Sequence, residues 1–563
     1  MILTSNDTVA TYRANGWWGD STVDDLFKAA CANAPDSCAL VDPLNRASID
    51  GVEPRRLSWR ELDEAVDGAA IALLRVGLSK DDRLVVQLPN TVDAVIIFLA
   101  ASRLGLIISP IVMQYRQHEI QHIIENISPK AIITVDHFAG FDHRGQAQSI
   151  AGEAGGLTVL ISEQVLRGGA QTDKRVLDAY LSKHAVDSAE ILTICWTSGT
   201  ESRSKGVPRC HSHWVLNAEV IVDATEMTSD DVLLNPFPLV NIGSIGGLVL
   251  PWLQLGAKLV LHHPFNIGIF LQQIQDEAVS YTIAPPAVLG ALLKQPDLME
   301  SFDISSLRAV ASGSAPLSPW LIETWKTDHN IEITNVFGSN EGSSLFSSPT
   351  SVPDPADRAR YFPRFGARGV EWSSRSAEVM QSRLVDPKTE ETISKPGQIG
   401  ELRLGGATIF SGYWNSPDLN ANAFDAQGYF KTGDLFEIAG EGTLSRYYSF
   451  VGRSKEIIVR GGVNISPAEL DDLIVDHPKI REAATVGLPD DHLGERVAVA
   501  VVPRDDHTVD LSDISEWLES KGTAIFKRPE FIVILDSLPR NAMNKVPRDE
   551  LRTEVTRRLA VSG

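Results

Sequence analysis

Residues 83–88, Arg-Leu-Val-Val-Gln-Leu, read as a buried strand, and residues 91–104 read as the helix that follows it. The same strand signal returns at 131–135 and at 192–196. Strand and helix in repeated alternation predict layered α/β structure around a largely parallel sheet. Ser58-Trp59-Arg60-Glu61 has the pattern of a capping box, opening a helix that runs through Ala69-Ala70. A chain of 563 residues, 43% of them hydrophobic, exceeds what one core usually holds, so at least two domains are expected.

The most apolar stretch, residues 94–112, is interrupted by Arg103 and by Ser109-Pro110, so it reads as a buried helix and a core strand rather than a membrane span. The 51 Lys and Arg residues against 73 Asp and Glu give a formal net charge of −22, which opposes general nucleic-acid binding. The four cysteines, Cys31, Cys38, Cys195 and Cys210, have no zinc-site or disulfide spacing and fit a reducing compartment. No secretory, prenylation or peroxisomal signal is visible, so a cytoplasmic location is expected.

The pattern changes near residue 360. Residues 397–452 are rich in glycine and short strands, predicting a small antiparallel barrel or sheet. A new α/β unit follows, opened by a second capping-box pattern, Ser466-Pro467-Ala468-Glu469, with strands at 483–487 and 497–502. The expected organisation is a large N-terminal domain over 1–452, made of layered α/β subdomains plus a β-barrel-like subdomain at about 360–452. A small mobile α+β domain occupies 453–563, with its hinge near Lys455.

Five short motifs and one lysine carry the chemistry. Thr197-Ser198-Gly199-Thr200-Glu201-Ser202-Arg203-Ser204-Lys205-Gly206 follows a strand and is rich in hydroxyls, with two glycines and one lysine. Hydroxyls and open backbone amides hold phosphate oxygens, and lysine adds a point charge. The Walker spacing is absent. Phe337-Gly338-Ser339-Asn340-Glu341 follows a strand expected at 331–336, placing a carboxylate that suits magnesium and an aromatic ring that suits adenine. Gly313-Ser314-Ala315-Pro316 has the small residues that let backbone approach a ligand. Asp434, in Lys431-Thr432-Gly433-Asp434, and Arg453, in Gly452-Arg453-Ser454-Lys455-Glu456, flank the β-rich segment, and a carboxylate accepts well from two ribose hydroxyls. Lys545 lies in a turn-rich loop near the C-terminus. Taken singly, each of these residues also fits a bland role: a surface turn, a core phenylalanine, a solvated charge.

In order and approximate spacing these motifs resemble those of the adenylate-forming superfamily of acyl- and aryl-CoA synthetases, adenylation domains and luciferases. The resemblance extends to Gln87-Leu88-Pro89-Asn90, Tyr115-Arg116 with Glu119, Gly400-Glu401-Leu402 and Gly412-Tyr413-Trp414, covering nearly the whole chain. It implies an enzyme that activates a carboxylic acid with ATP and passes the acyl group to CoA, the alternative acceptor being the pantetheine of an acyl-carrier protein. Thr197, Ser198, Gly199, Thr200, Glu201 and Lys205 would hold phosphates. Gly313, Ser314, Ala315, Pro316 and Phe337 would hold adenine, and Gly338, Ser339 and Asn340 would also contact the nucleotide. Glu341 would bind Mg2+, Asp434 and Arg453 the ribose. Lys545 would contact both the substrate carboxylate and the α-phosphate. Thr197, Lys205, Glu341 and Lys545 would be the catalytic set, and Gly461 and Gly462 would line the thiol tunnel.

The sequence departs from the pattern in places. Ser202 and Ser204 stand where glycine and proline are usual, Asn340 where threonine is usual, and Asn544 where glycine precedes the lysine. Asn241 occupies a position near the acyl pocket where the family often has histidine. With Gly243, Gly246 and Gly247 close by, and with Gly313 and Gly338, the pocket is expected to be wide and to favour a bulky alicyclic, polycyclic or aryl acid. Tyr12-Arg13 and Gly16-Trp17-Trp18-Gly19-Asp20 resemble the branch that handles such acids. Cys210-His211-Ser212-His213 is expected to start a helix rather than bind metal. The alternatives are an enzyme confined to the first half-reaction and a non-catalytic nucleotide-binding homologue.

Overall fold

The computed structural model describes residues 1–169, 173–197, 204–342, 344–460, 463–490, 492–504, 507–541 and 545–562. Two sheets lie in the first part of the chain. The six-stranded one has the order Lys205–Cys210, Ile191–Thr197, Ile107–Pro110, Arg83–Val86, Ala131–Thr134, Thr158–Ile161. It is parallel except at Lys205–Cys210, which returns antiparallel beside Ile191–Thr197. The eight-stranded sheet runs Ser344–Ser347, Glu332–Gly338, Ala309–Gly313, Tyr281–Ile283, Val232–Asn235, Lys258–Leu261, Cys38–Val41, Arg56–Ser58. Its centre is parallel and its two edges are antiparallel. One continuous core joins the two sheets, with Leu84 and Ile108 of one and Leu233 and Leu259 of the other in the same cluster.

The helix expected in the most apolar stretch is Val92–Leu104, buried along almost its whole length. Its one cation, Arg103, donates to Asp24, Asp63 and Asp67, which two neighbouring helices supply. Three carboxylates make this interior guanidinium tolerable where a lone buried charge is not. No helix among the described residues is long and apolar enough to cross a membrane.

The β-rich segment resolves as an open sheet. Five antiparallel strands run Tyr361–Pro363, Tyr447–Arg453, Phe430–Ile438, Gly400–Gly406, Met380–Val385, and no pairing among the described residues closes the two edges into a barrel. Phe362, Phe410, Phe430, Phe436 and Tyr448 fill its core. From Ile458 onward the hydrophobic clusters contain only residues of that last part of the chain. There, Gly494–Pro503 pairs with Ile480–Asp490 on one side and with Phe531–Ile534 in parallel on the other.

Local signals behave unequally. At Ser58 both halves of the capping box form: Oγ accepts from Glu61 N at 3.2 Å and the Glu61 carboxylate accepts from Ser58 N at 2.8 Å. At Ser466 only the first half forms, with Glu469 N donating at 3.2 Å. Lys527, 58 residues away, takes the Glu469 carboxylate at 2.7 Å. The Ser466 hydroxyl also donates to Val451 O, tying this helix start to the five-stranded sheet.

Candidate active site

Thr197 and Lys205 are directly paired residues of adjacent antiparallel strands, so the hydroxyl-rich loop joins two fixed ends. Both ends are half-buried. Ser198, Gly199, Thr200 and Glu201 of that loop lie outside the described residues, as do Gly461, Gly462 and Asn544.

The strand before the second motif is Glu332–Gly338, ending two residues later than expected. Phe337 and Gly338 pair with Leu345 and Ser344, so Phe337 belongs to the ladder instead of following it. Its ring meets Phe436 edge-on at 5.2 Å and is half-buried. Ser339 keeps a buried hydroxyl with no hydrogen-bond partner among the described residues. The Asn340 side chain accepts from Ile242 N at 2.8 Å and donates to Trp196 O at 3.4 Å, joining three segments.

Glu341 is only 8% exposed. Its Oε1 accepts from the Tyr413 hydroxyl at 2.9 Å, and its main-chain oxygen accepts from Phe410 N at 2.9 Å. The Lys205 ammonium lies 5.3 Å from the centroid of the Tyr413 ring. Beneath this turn sits Arg209, fully buried, donating to Asn340 O at 3.2 Å and to His213 O at 3.3 Å. Burial pulls its guanidinium down to about 10. Gly342 follows at φ +97°, where a Cβ would lie 1.9 Å from Thr408 O. Sequence reading did not single out Arg209 or Gly342, and quoted Tyr413 only as part of a motif. Their roles arise from contacts across long sequence separations.

Asp434 and Arg453 pair across two strands of the five-stranded sheet, with Nε 3.1 Å from Oδ1. Burial raises the Asp434 carboxyl to about 6; Arg453 and Lys545 oppose the rise, while Glu456 and Glu341 add to it. Lys545 is pushed below the ordinary lysine range, first by desolvation and then by Arg453, against the pull of Asp434, Glu456 and Glu341. Its side chain is exposed. Lys545 N donates to Asn541 Oδ1 at 3.0 Å and Asn541 N donates to Lys545 O at 2.9 Å. The charges of Glu341, Asp434, Arg453 and Lys545 therefore act on one another, and Lys205 joins Glu341 through Tyr413. Lys455 is exposed in the turn directly after Tyr447–Arg453.

Gly246 and Gly247 lie in the π-helical turn Ile245–Val249. A Cβ on Gly246 would meet Asn217 at 2.9 Å, and one on Gly247 would meet Ile283 at 2.5 Å, so these glycines admit packed side chains. Asn241 Oδ1 accepts from Ser244 N at 3.1 Å, and Gly243 has only that oxygen nearby, at 3.4 Å. A Cβ on Gly313 would lie 2.1 Å from Val336 O on the neighbouring strand. Ser314, at φ +69°, and Ala315 are exposed just beyond that strand end, with Pro316 half-buried.

Cys210 caps the helix His211–Thr225 through its sulfur. His213 is occupied at both nitrogens, Nδ1 with Cys210 Sγ at 3.0 Å and Nε2 with Ile409 O at 3.0 Å. No group of three or more His, Cys, Asp or Glu able to cage a metal occurs among the described residues. Glu341 instead offers one carboxylate, the donor set of a magnesium completed by phosphates and water. Trp18 donates to Ala407 O at 3.0 Å and meets His213 edge-on, so the N-terminal aromatic motif braces the fold.

The sequence profile of AMP-binding enzymes matches residues 27–414, and that of the AMP-binding enzyme C-terminal domain matches residues 469–545. A medium-chain fatty-acid–CoA ligase of Escherichia coli (strain K12) is 29% identical, over 99% of this chain and 95% of its own length. An indoleacetate–CoA ligase of Aromatoleum aromaticum is 30% identical over 90% and 94%. The crystal structure of ATP-bound MatB from Rhodopseudomonas palustris superposes with a TM-score of 0.77 at 25% identity, covering 95% of this chain and 99% of that one. With both profiles matched in order and relatives aligned almost end to end, the chain belongs to the AMP-binding enzyme family.

Proposed function

We propose that this enzyme is an AMP-forming acid–thiol ligase that condenses a hydrophobic carboxylic acid with ATP, releasing pyrophosphate, and then transfers the acyl group to CoA, releasing AMP. The observation that carries the reading is the convergence of Lys205, Glu341, Asp434, Arg453 and Lys545 from distant parts of the chain. Relatives named as CoA ligases for a fatty acid and for an aryl acetate support the same reaction type.

In the first step the substrate carboxylate attacks the α-phosphorus, and the bond to pyrophosphate breaks. Lys545 holds the incoming carboxylate and the α-phosphate, whose oxygens carry the developing charge. Thr197 and Lys205, with the loop between them, hold the β- and γ-phosphates, and the unpartnered Ser339 hydroxyl is available to the nucleotide. Asp434 accepts from the ribose hydroxyls, and Arg453 orients that carboxylate. Glu341 would hold a magnesium ion, which when bound would supply charge neutralisation at the phosphates. Phe337 and the 313–316 segment flank the adenine.

In the second step a thiolate attacks the mixed anhydride and AMP leaves. A lysine seated over the carboxylate obstructs that approach, so residues 453–563 turn about Lys455 between steps, bringing Gly461 and Gly462 to the thiol path. The favoured acid is ring-bearing, supported by the short, uncharged Asn241 and by the indoleacetate ligase among the relatives. A panel of straight-chain, alicyclic and aryl acids in ATP–pyrophosphate exchange tests this: ring acids with the higher kcat/KM support the assignment, and straight chains ahead of rings overturn it.

A further inference from the structure

Tyr413 contacts two side chains of opposite charge. Its hydroxyl donates to one carboxylate oxygen of Glu341 at 2.9 Å, and the Lys205 ammonium lies 5.3 Å from its ring centroid. No ion pair joins Lys205 to Glu341 among the described residues. The tyrosine is itself fixed. Its main-chain N donates to Asn420 Oδ1 at 2.7 Å, the Asn420 amide donates back to Tyr413 O at 2.9 Å, and Phe410 packs on its ring at 4.9 Å. Gly412 lets the chain enter at φ +130°, where a Cβ would press on the same Asn420 Oδ1 at 3.0 Å.

The geometry points to Tyr413 as a positioning residue with two tasks: its hydroxyl fixes one oxygen of Glu341 so that the other faces a divalent cation, and its ring keeps Lys205 from collapsing onto Glu341. An ammonium and a carboxylate in a half-buried cleft attract strongly. Paired, the lysine would be lost to phosphate and the carboxylate to the cation. Hydrogen bonds from the protein to a ligating carboxylate orient it and tune its affinity. The inference rests on the proposed metal role of Glu341.

The test uses the full chain and manganese(II), followed by electron paramagnetic resonance in the presence of a nonhydrolysable ATP analogue. Binding of the same analogue without metal is measured alongside. Tyr413→Phe is expected to weaken manganese binding roughly 10-fold while leaving metal-free analogue binding unchanged, since the ring remains. Tyr413→Leu, with folding checked by its melting profile, is expected to weaken metal-free binding as well, by roughly fivefold, the scale of one partly exposed ion pair. A purely structural tyrosine would not separate the two readouts. Equal manganese affinity in wild type and Tyr413→Phe, with Glu341→Gln weakened, overturns the hydroxyl's role alone. Equal metal-free binding in Tyr413→Phe and Tyr413→Leu overturns the spacer role. Unaltered manganese affinity in Glu341→Gln overturns the metal assignment of Glu341, and this inference with it.

Discussion

Asp434 and Arg453 occupy facing positions on adjacent antiparallel strands, and their side chains meet at 3.1 Å, yet the carboxyl is raised to about 6 because its burial outweighs its partner. A carboxylate must be ionised to accept from both ribose hydroxyls, so the KM for ATP rises as pH falls through about 6. Asp434→Asn flattens that profile and raises the KM by about 10-fold or more. Stability runs the other way. An acid whose folded value lies above its unfolded one, about 3.9, destabilises the fold as it ionises. The apo protein therefore loses stability as pH rises from about 4 to about 6, and none further from this group above that. Asp434→Asn is expected to melt higher than wild type at pH 7 without ligand, which differential scanning fluorimetry reads directly.

Lys545→Ala is expected to reduce acid-dependent ATP–pyrophosphate exchange by roughly 10²–10³-fold, the scale of removing one electrostatic stabiliser. Thioester formation from a supplied acyl-adenylate should fall much less. Equal losses in both assays contradict the assigned role. Because the surroundings lower this lysine's proton affinity, its charge is lost at a lower pH than for a free lysine, and the alkaline limb of the exchange profile should be shifted down accordingly.

Arg103→Met removes the cation shared by Asp24, Asp63 and Asp67 in the main core. Breaking a buried ion network from one side leaves carboxylates uncompensated, so a loss of about 3–5 kcal/mol is expected. Urea unfolding at pH 7 measures it, and a change below about 1 kcal/mol would mean that the network behaves as a surface one.

Gly342→Ala forces a Cβ to within 1.9 Å of Thr408 O at φ +97°. The turn carrying Glu341 must shift, at about 1–3 kcal/mol of strain, and adenylation should drop with it. Gly369→Ala is the control, with φ +79° but nothing within 4 Å, and should cost only the intrinsic penalty of about 1–2 kcal/mol. Steady-state exchange rates of the two variants, set against their melting temperatures, separate displacement of the site from general strain.

The sequence showed what is local. The alternation of strands and helices, the capping box at Ser58 and the buried character of the 92–104 helix all depend on neighbours a few residues apart. The motif residues were legible as residue types, and their order pointed to the family. What was not legible depends on distant partners. Ser466-Pro467-Ala468-Glu469 has the letters of a capping box, but Lys527 takes the glutamate. The side chains that would meet a Cβ on Gly246 and Gly247, Asn217 and Ile283, come from elsewhere in the chain. Phe337 was expected after a strand that in fact continues through it, because Ser344–Ser347 returns to pair with it. Tyr413 and Glu341 are 72 residues apart, and neither side of their hydrogen bond announces the other.

The most direct test is acid-dependent ATP–pyrophosphate exchange across a panel of carboxylic acids, with CoA then added to the active pairs and thioester scored by mass. The account predicts exchange with ring-bearing acids followed by acyl-CoA and AMP in equal amounts. No exchange with any acid would contradict it outright. Exchange without thioester would confine the enzyme to the first step, or assign the thiol to a carrier protein.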